Sequence, residues 1–154
     1  MIRKITENDR ELYYKYADMF YNSDAVNAPV PKINYELTFN EFMRSDEYVW
    51  CYIFEVDSKP CGFAMLSRTF SQEAGGTSVT VEEIFIEKEY RNRGLGTQFF
   101  EFMKENIPAA RYRIEVEPDN EKAKALYERM GFEVLPYLQM VIDKQNKENS
   151  GENI

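Results

Sequence analysis

Residues 79–98, VTVEEIFIEKEYRNRGLGTQ, restrict the possible folds of this chain more than any other stretch. The β-branched and aromatic run over 79–86 predicts a strand, and a short charged link over 87–90 follows it. The turn Arg91-Asn92-Arg93-Gly94-Leu95-Gly96 then opens a helix whose apolar face is Leu95, Phe99, Phe102 and Met103. Pro108 ends that helix, and 112–116 predicts a further strand. A strand–helix–strand succession of this length lays its two strands parallel, with the helix packed on one face. The glycines let backbone approach a ligand closely, and the helix start points unpaired N–H groups and the positive dipole end at the same spot. Arg91 and Arg93 add guanidinium donors, so the turn suits a pyrophosphate. The alternative is an ordinary strand-to-helix connection with solvated arginines.

Around this unit the pattern is mixed. A short apolar strand over 1–5 leads to Thr6, which with Asp9 three residues later reads as a helix start. Leu12, Tyr16, Met19 and Phe20 follow at helical spacing. Residues 22–34, with Pro29 and Pro31, predict an irregular segment, and a second helix is expected from Thr38, where Glu41 completes a capping box. Residues 48–56 and 61–70 read as an antiparallel hairpin around the turn at 57–60, and 71–77 as the next loop. After the strand at 112–116, a helix is capped by Asp119 or Asn120 at its start and by Gly131 beyond its end. Residues 132–135 and 137–142 predict two last strands around Pro136. A single domain over 1–143 is expected, followed by a polar tail at 144–154 without apolar periodicity.

Composition excludes several chemistries. The 154 residues hold no histidine, which removes Ser-His-Asp and Cys-His nucleophile arrangements, histidine-ligated metal sites and histidine acid–base catalysis. No metal is expected. A formal net charge of −8 argues against a sequence-independent grip on nucleic acid. No apolar run approaches the ~20 residues of a bilayer span, and the start MIRKITENDR lacks the apolar core of a signal peptide, so a cytoplasmic protein is expected. Two cysteines in such a protein, Cys51 and Cys61, are expected as core residues rather than a disulfide.

The strand ending EEIFI, the turn RNRGLG and the pattern N-x-x-A-x-x-L-Y-x-x-x-G-F over 120–132 together resemble the GNAT superfamily of acyl-CoA-dependent N-acyltransferases. Its acyl-CoA motif is Arg or Gln, two residues, Gly, one residue, Gly or Ala, which Arg91, Gly94 and Gly96 satisfy. The order and separation of the motifs and the order of elements extend the resemblance over nearly the whole chain. It implies a mixed, mostly antiparallel seven-stranded α/β sheet with about four helices, splayed between its fourth and fifth strands to admit acyl-CoA. Backbone groups of Ile84, Phe85 and Ile86 are then expected on the pantetheine arm. The amides of Arg91, Asn92, Arg93, Gly94, Leu95, Gly96 and Thr97 are expected on the pyrophosphate, with Asn120 orienting the same ligand. A homodimer is common in the family.

The reaction the resemblance implies is attack of a primary amine on the thioester of acetyl-CoA. Tyr127 stands where the family places the general acid for the departing thiolate. Glu82 and Glu83 lie on the strand beside the expected thioester as candidate bases, with Glu82 favoured by the resemblance. Because adjacent strand residues point to opposite faces, only one of them is expected to face the acceptor. Asp24 and Glu73, in loops expected to rim the acceptor side, suggest an acidic mouth for a cationic small molecule or peptide amine, without nucleic acid or membrane partners. The runner-up reading is a non-catalytic acyl-CoA-binding regulator with the same fold.

Overall fold

The computed structural model describes residues 1–23 and 29–144. Its elements are β1 (Ile2–Lys4), a 3-10 turn (Glu7–Asp9), α1 (Arg10–Tyr21), α2 (Lys32–Arg44), β2 (Val49–Val56), β3 (Lys59–Ser71), β4 (Gly76–Ile86), a 3-10 turn (Lys88–Tyr90), α3 (Leu95–Asn106), β5 (Arg111–Ile114) and α4 (Glu121–Arg129). The strands form one sheet in the order β1-β2-β3-β4-β5. All neighbours are antiparallel except β4 and β5, which run parallel as the α3 crossover requires.

Two apolar layers sandwich the sheet. On one face α1 and α2 bring Tyr13, Tyr16, Phe20, Phe39 and Phe42 against Cys51, Ile53, Phe63 and Phe85. On the other, α3 brings Phe99, Phe100 and Met103 against Trp50, Phe54, Leu66, Val79 and Val81. Period-two alternation explains the split: Cys51 and Ile53 face one way, Trp50 and Phe54 the other. Cys51 and Cys61 are buried free thiols.

The alternation breaks once on β4. Met65 pairs with Glu83 and Leu66 with Val81, which leaves Glu82 as an extra residue opposite the β3 strand. Such a β-bulge exchanges the faces of everything after it. Val79 and Val81 belong to the α3 layer, whereas Phe85, four residues beyond Val81, belongs to the α1–α2 layer.

Two sequence expectations change. The helix expected from Thr38 begins six residues earlier, at Lys32 after Pro31. Proline is well tolerated at a helix start, and Thr38 is an interior residue whose hydroxyl donates to the Asn34 carbonyl four residues back at 2.7 Å. Five strands form among the described residues rather than seven. Residues 132–135 and 137–142, expected as the last two, adopt no strand, since a strand needs a ladder and none joins them to a neighbour among the described residues. The capping box at Thr6 and Asp9 forms as expected, the Thr6 amide donating to Asp9 at 2.8 Å. Arg3 on β1 adds two bonds to that carboxylate, at 2.8 and 2.9 Å.

Candidate functional site

The site is built around the C-terminal half of β4. β5 pairs only with positions 78–81 of that strand, so from Glu82 onward one edge of β4 has no strand neighbour among the described residues while β3 holds the other. The Glu87 amide donates to the Cys61 carbonyl on β3 at 2.8 Å. Alternation along an antiparallel strand then turns the groups of Phe85 toward β3 and those of Ile84 and Ile86 toward the open side. Of the three backbone positions expected to meet a ligand, Ile84 and Ile86 are the two available. The Ile86 carbonyl accepts from Arg91 Nε at 2.8 Å.

Beyond β4 the chain turns through Asn92 and Gly94, both left-handed at φ 61° and 79°. At Gly94 that conformation is the reason for glycine, since a Cβ there would meet nothing within 4 Å. The first main-chain bond into α3 runs from Gln98 to the Gly94 carbonyl at 2.9 Å, so the amides of Leu95, Gly96 and Thr97 are the unpaired donors of the helix start. Arg93 bonds the Glu89 carbonyl at 3.0 Å and lies over the Tyr90 ring. Lys122, at the start of α4, reaches Asn92 Oδ1 at 2.8 Å and thereby adds a third cation beside the turn. Nothing in the sequence around Lys122 pointed to it, because the contact joins elements 30 residues apart. Gly96 has another reason for its lack of a side chain: a Cβ there would stand 3.3 Å from Leu126 Cδ2, so it sets the close approach of α3 and α4.

α4 supplies Asn120 and Tyr127. Asn120 caps the helix, Oδ1 accepting from the Ala123 amide at 3.1 Å, which leaves its side-chain N–H groups as donors. Tyr127 is clamped edge-on by Phe100 at 5.6 Å and Phe132 at 6.1 Å. Burial raises its phenol above the ordinary value, so the hydroxyl carries its proton at neutral pH.

On the opposite face the bulge brings both carboxylates to the α1–α2 side, which corrects the expectation that only one faces it. Glu82 is exposed and accepts from Ser67 Oγ at 2.5 Å; Ser67 alternates with Met65 and Phe63 on that face of β3. Glu83 is only 6% exposed, accepts the Tyr21 hydroxyl on Oε1, and has no partner on Oε2 among the described residues. Burial pushes the Glu83 carboxyl up to about 7; the Tyr21 bond opposes this by favouring the charged form, and the neighbouring Glu82 charge reinforces it. Tyr21 in turn stacks on Tyr35 of α2, with ring centres 5.9 Å apart.

A cleft of about 410 Å³ opens next to Glu82, lined by Leu37, Glu41, Tyr48, Val49 and Met65. At its rim Arg44 is bound by Glu41 at 2.6 Å and lies over the Tyr48 ring. Glu73 is not brought to this place. It sits in the β3–β4 turn, paired with Arg111 at 3.3 Å, and the six strand positions from Gly76 to Glu82 put it about 20 Å away. Asp24 lies outside the described residues.

A mixed sheet whose fourth strand keeps one edge open, followed by a glycine turn into a helix start, is thus the frame of the candidate site. The chain belongs to the GNAT acetyltransferase family, whose match spans residues 10–132. Among solved structures, a possible acetyltransferase from Clostridium difficile 630 superposes with a TM-score of 0.76 at 19% identity, over 93% of this chain and 96% of that one. The aminoglycoside N-acetyltransferase AAC(6')-Iy, in complex with the bisubstrate analog CoA-S-monomethyl-acetylneamine, gives a TM-score of 0.76 at 17% identity over 94% and 97%. An integron cassette protein from the mobile metagenome of Cole Harbour Salt Marsh gives 0.75 at 17% over 93% and 90%. At these identities the likeness is one of fold. No curated protein matches the chain. Among the described residues no helix is long and apolar enough to cross a membrane.

Proposed function

We propose that the protein transfers an acetyl group from acetyl-CoA to a primary amine of a small molecule or peptide, in the cytoplasm. The observation that carries this reading is the β4 bulge, which delivers two carboxylates of different character to one side of a strand whose edge is open. When bound, acetyl-CoA supplies a thioester carbonyl for the amine to attack and a sulfur that leaves. The amides of Leu95, Gly96 and Thr97 are suited to its phosphates, with Arg91, Arg93 and Lys122 as surrounding charge. Asn92 and Gly94 give that turn its shape. Asn120 holds the start of α4 and offers its N–H groups to the same ligand. Ile84 and Ile86 offer main-chain groups to an extended arm, as a neighbouring strand would receive them.

Glu82 and Glu83 divide the work on the acceptor. An alkyl ammonium loses its proton near pH ~10.4 in water, so it must shed one before attack. Glu83, poised near neutrality, is the group to take that proton, directly or through water. Glu82, exposed at the cleft wall, receives the ammonium. This assignment favours Glu83 as base over Glu82, because its burial matches its affinity for a proton to the operating pH. Tyr127 donates its phenolic proton to the departing sulfur and recovers it from solvent. The acidic mouth of this proposal is formed by Glu82 and Glu83; Glu73 remains with Arg111, and Glu41 is neutralised by Arg44.

The test is release of CoA thiol from acetyl-CoA over a panel of polyamines, aminoglycosides, arylalkylamines and peptide amino termini. Turnover with at least one amine, abolished by Glu83→Gln, is expected. Acetyl-CoA binding by calorimetry with no thiol release from any amine would replace this reading by that of a non-catalytic acyl-CoA-binding regulator.

A further inference from the structure

The cleft beside Glu82 has a lining that discriminates among amines. Three adjacent strands supply part of it: Val49 of β2 pairs with Ser67 of β3, whose hydroxyl bonds Glu82 on β4, and Met65 precedes Ser67 on the same face of β3. α2 adds Leu37, Thr38 and Glu41, and Tyr48 stands just before β2. A volume of about 410 Å³ lies in the range of small-molecule sites. Its apolar members are not packed away. Leu37 and Tyr48 remain 55% and 60% exposed, and Val49 and Met65 are half-buried at the margin of the α1–α2 core.

The polar members of the lining are largely committed elsewhere. The Thr38 hydroxyl donates to the Asn34 carbonyl at 2.7 Å. Glu41 accepts from Arg44 at 2.6, 2.9 and 3.0 Å, and Glu47 beyond it also turns to Arg44, at 3.4 Å. Glu82 is then the lining carboxylate without a cationic partner among the described residues; its bond is to the neutral Ser67 hydroxyl. An apolar hollow with one available carboxylate is complementary to a ligand that carries one cation on an apolar body.

We propose that the ligand of this cleft, and so the acceptor, is a primary monoamine on an aromatic body, with its ammonium at Glu82 and its ring against Leu37, Tyr48, Val49 and Met65. As an acceptor it rests on the acetyl-transfer reading of the same site. An aromatic body suits the lining because Tyr48 offers a ring and Met65 a polarisable thioether. A polyamine or an aminoglycoside fits it worse. Each further ammonium would lose its hydration against Leu37 or Met65 with no carboxylate to receive it. In the transfer the amine nitrogen bonds the acetyl carbon and the carbon–sulfur bond breaks. Of the two protons that the ammonium nitrogen loses, one is balanced by the proton Tyr127 gives to the sulfur, and the other passes through Glu83 to solvent.

Calorimetry on the full chain saturated with CoA, which carries no acetyl group to transfer, separates binding from chemistry. 2-Phenylethylamine should bind roughly tenfold or more tightly than spermidine or kanamycin. Leu37→Gln combined with Tyr48→Gln, both at exposed positions, should remove roughly tenfold of that affinity and change spermidine binding by less than about twofold. Glu82→Gln should weaken 2-phenylethylamine but leave its neutral analogue 2-phenylethanol unaffected. Spermidine or kanamycin binding as tightly as 2-phenylethylamine to the parent would overturn the proposal, whether or not the variants fold. So would an unchanged affinity for 2-phenylethylamine in a double variant that keeps the parent's melting temperature. Thiol release from acetyl-CoA with the same amines tests the other reading. Selective binding of 2-phenylethylamine without thiol release would refute acetyl transfer and leave the ligand class standing, whereas faster release with spermidine would overturn the class and leave acetyl transfer standing.

Discussion

Replacing Glu83 by glutamine isolates the energy stored in a buried carboxylate. Its acid is held at about 7 in the folded protein against 4.5 for an ordinary glutamate, mainly by burial. Between those values the native state keeps a proton that the unfolded chain has lost, so the contribution of this group falls as pH rises and is spent above about 7. The gap corresponds to roughly 3 kcal/mol as an upper figure. Glutamine keeps the acceptor for Tyr21 and cannot ionise, so whatever it costs or gains through the unpartnered Oε2 position is independent of pH. Urea melts of parent and Glu83→Gln from pH 5 to pH 8 should therefore diverge, the variant gaining up to roughly 3 kcal/mol relative to the parent as pH rises. In parallel kcat/KM of the parent should fall through an acidic limb near pH 7. Tyr21→Phe removes the bond that favours the charged form and should move the limb of the otherwise intact enzyme to higher pH. A stability difference that stays constant across the range would refute the reasoning, because it would mean that Glu83 ionises in the folded protein as it does in water.

Tyr127→Phe should lower kcat by about 100-fold or more while KM and the melting temperature change little; kcat within twofold of the parent removes the acid assignment. Gly94→Ala places a side chain at φ 79° beside the helix start, and should weaken acetyl-CoA binding with a stability loss of about 1–2 kcal/mol. Gly96→Ala should instead lower the melting temperature through Leu126, leaving the dissociation constant within a few fold; calorimetry and thermal melts on both variants check the contrast. Asp9→Asn removes the charge that Arg3 and the Thr6 amide hold and should cost roughly 2–3 kcal/mol at pH 7. The Arg3 guanidinium holds the Asp9 acid below its ordinary 3.8, so the difference from the parent should shrink in urea melts taken as pH falls below that value.

Local chemistry was legible in the sequence where one short stretch decides it. The Thr6–Asp9 box, the turn through Gly94 and the Asn120 cap each depend on residues within a few positions, and each is where the spacing put it. The start of α2 was misread for the same reason. Thr38 and Glu41 have the spacing of a capping box, but the preceding residues 32–37 are compatible with helix, and Thr38 satisfies itself on Asn34. What depends on pairing was out of reach. Residues 137–142 have the alternation of a strand, and a strand exists only beside a partner. Lys122 meets Asn92, and Tyr21 meets Glu83, through contacts that no local pattern encodes.

The bulge at Glu82 joins these two levels. With regular register, Glu82 and Glu83 would point to opposite faces, and one of them would enter the α3 layer beside Val81 and Leu66, where nothing pairs a charge. One extra residue avoids that cost and places both carboxylates where α1 and α2 can treat them differently. α1 ends at Tyr21, whose hydroxyl bonds the buried Glu83, while Glu82 stays open to the cleft beside α2. The same irregularity falls where β5 ceases to pair with β4, just past Val81. The open edge and the placement of the two carboxylates thus have one structural origin, and deleting Glu82 should disturb both while leaving the turn beyond Ile86 intact. Loss of turnover with acetyl-CoA affinity retained in that deletion would support the common origin, whereas an equal loss of both would mean that the bulge holds the turn in place as well.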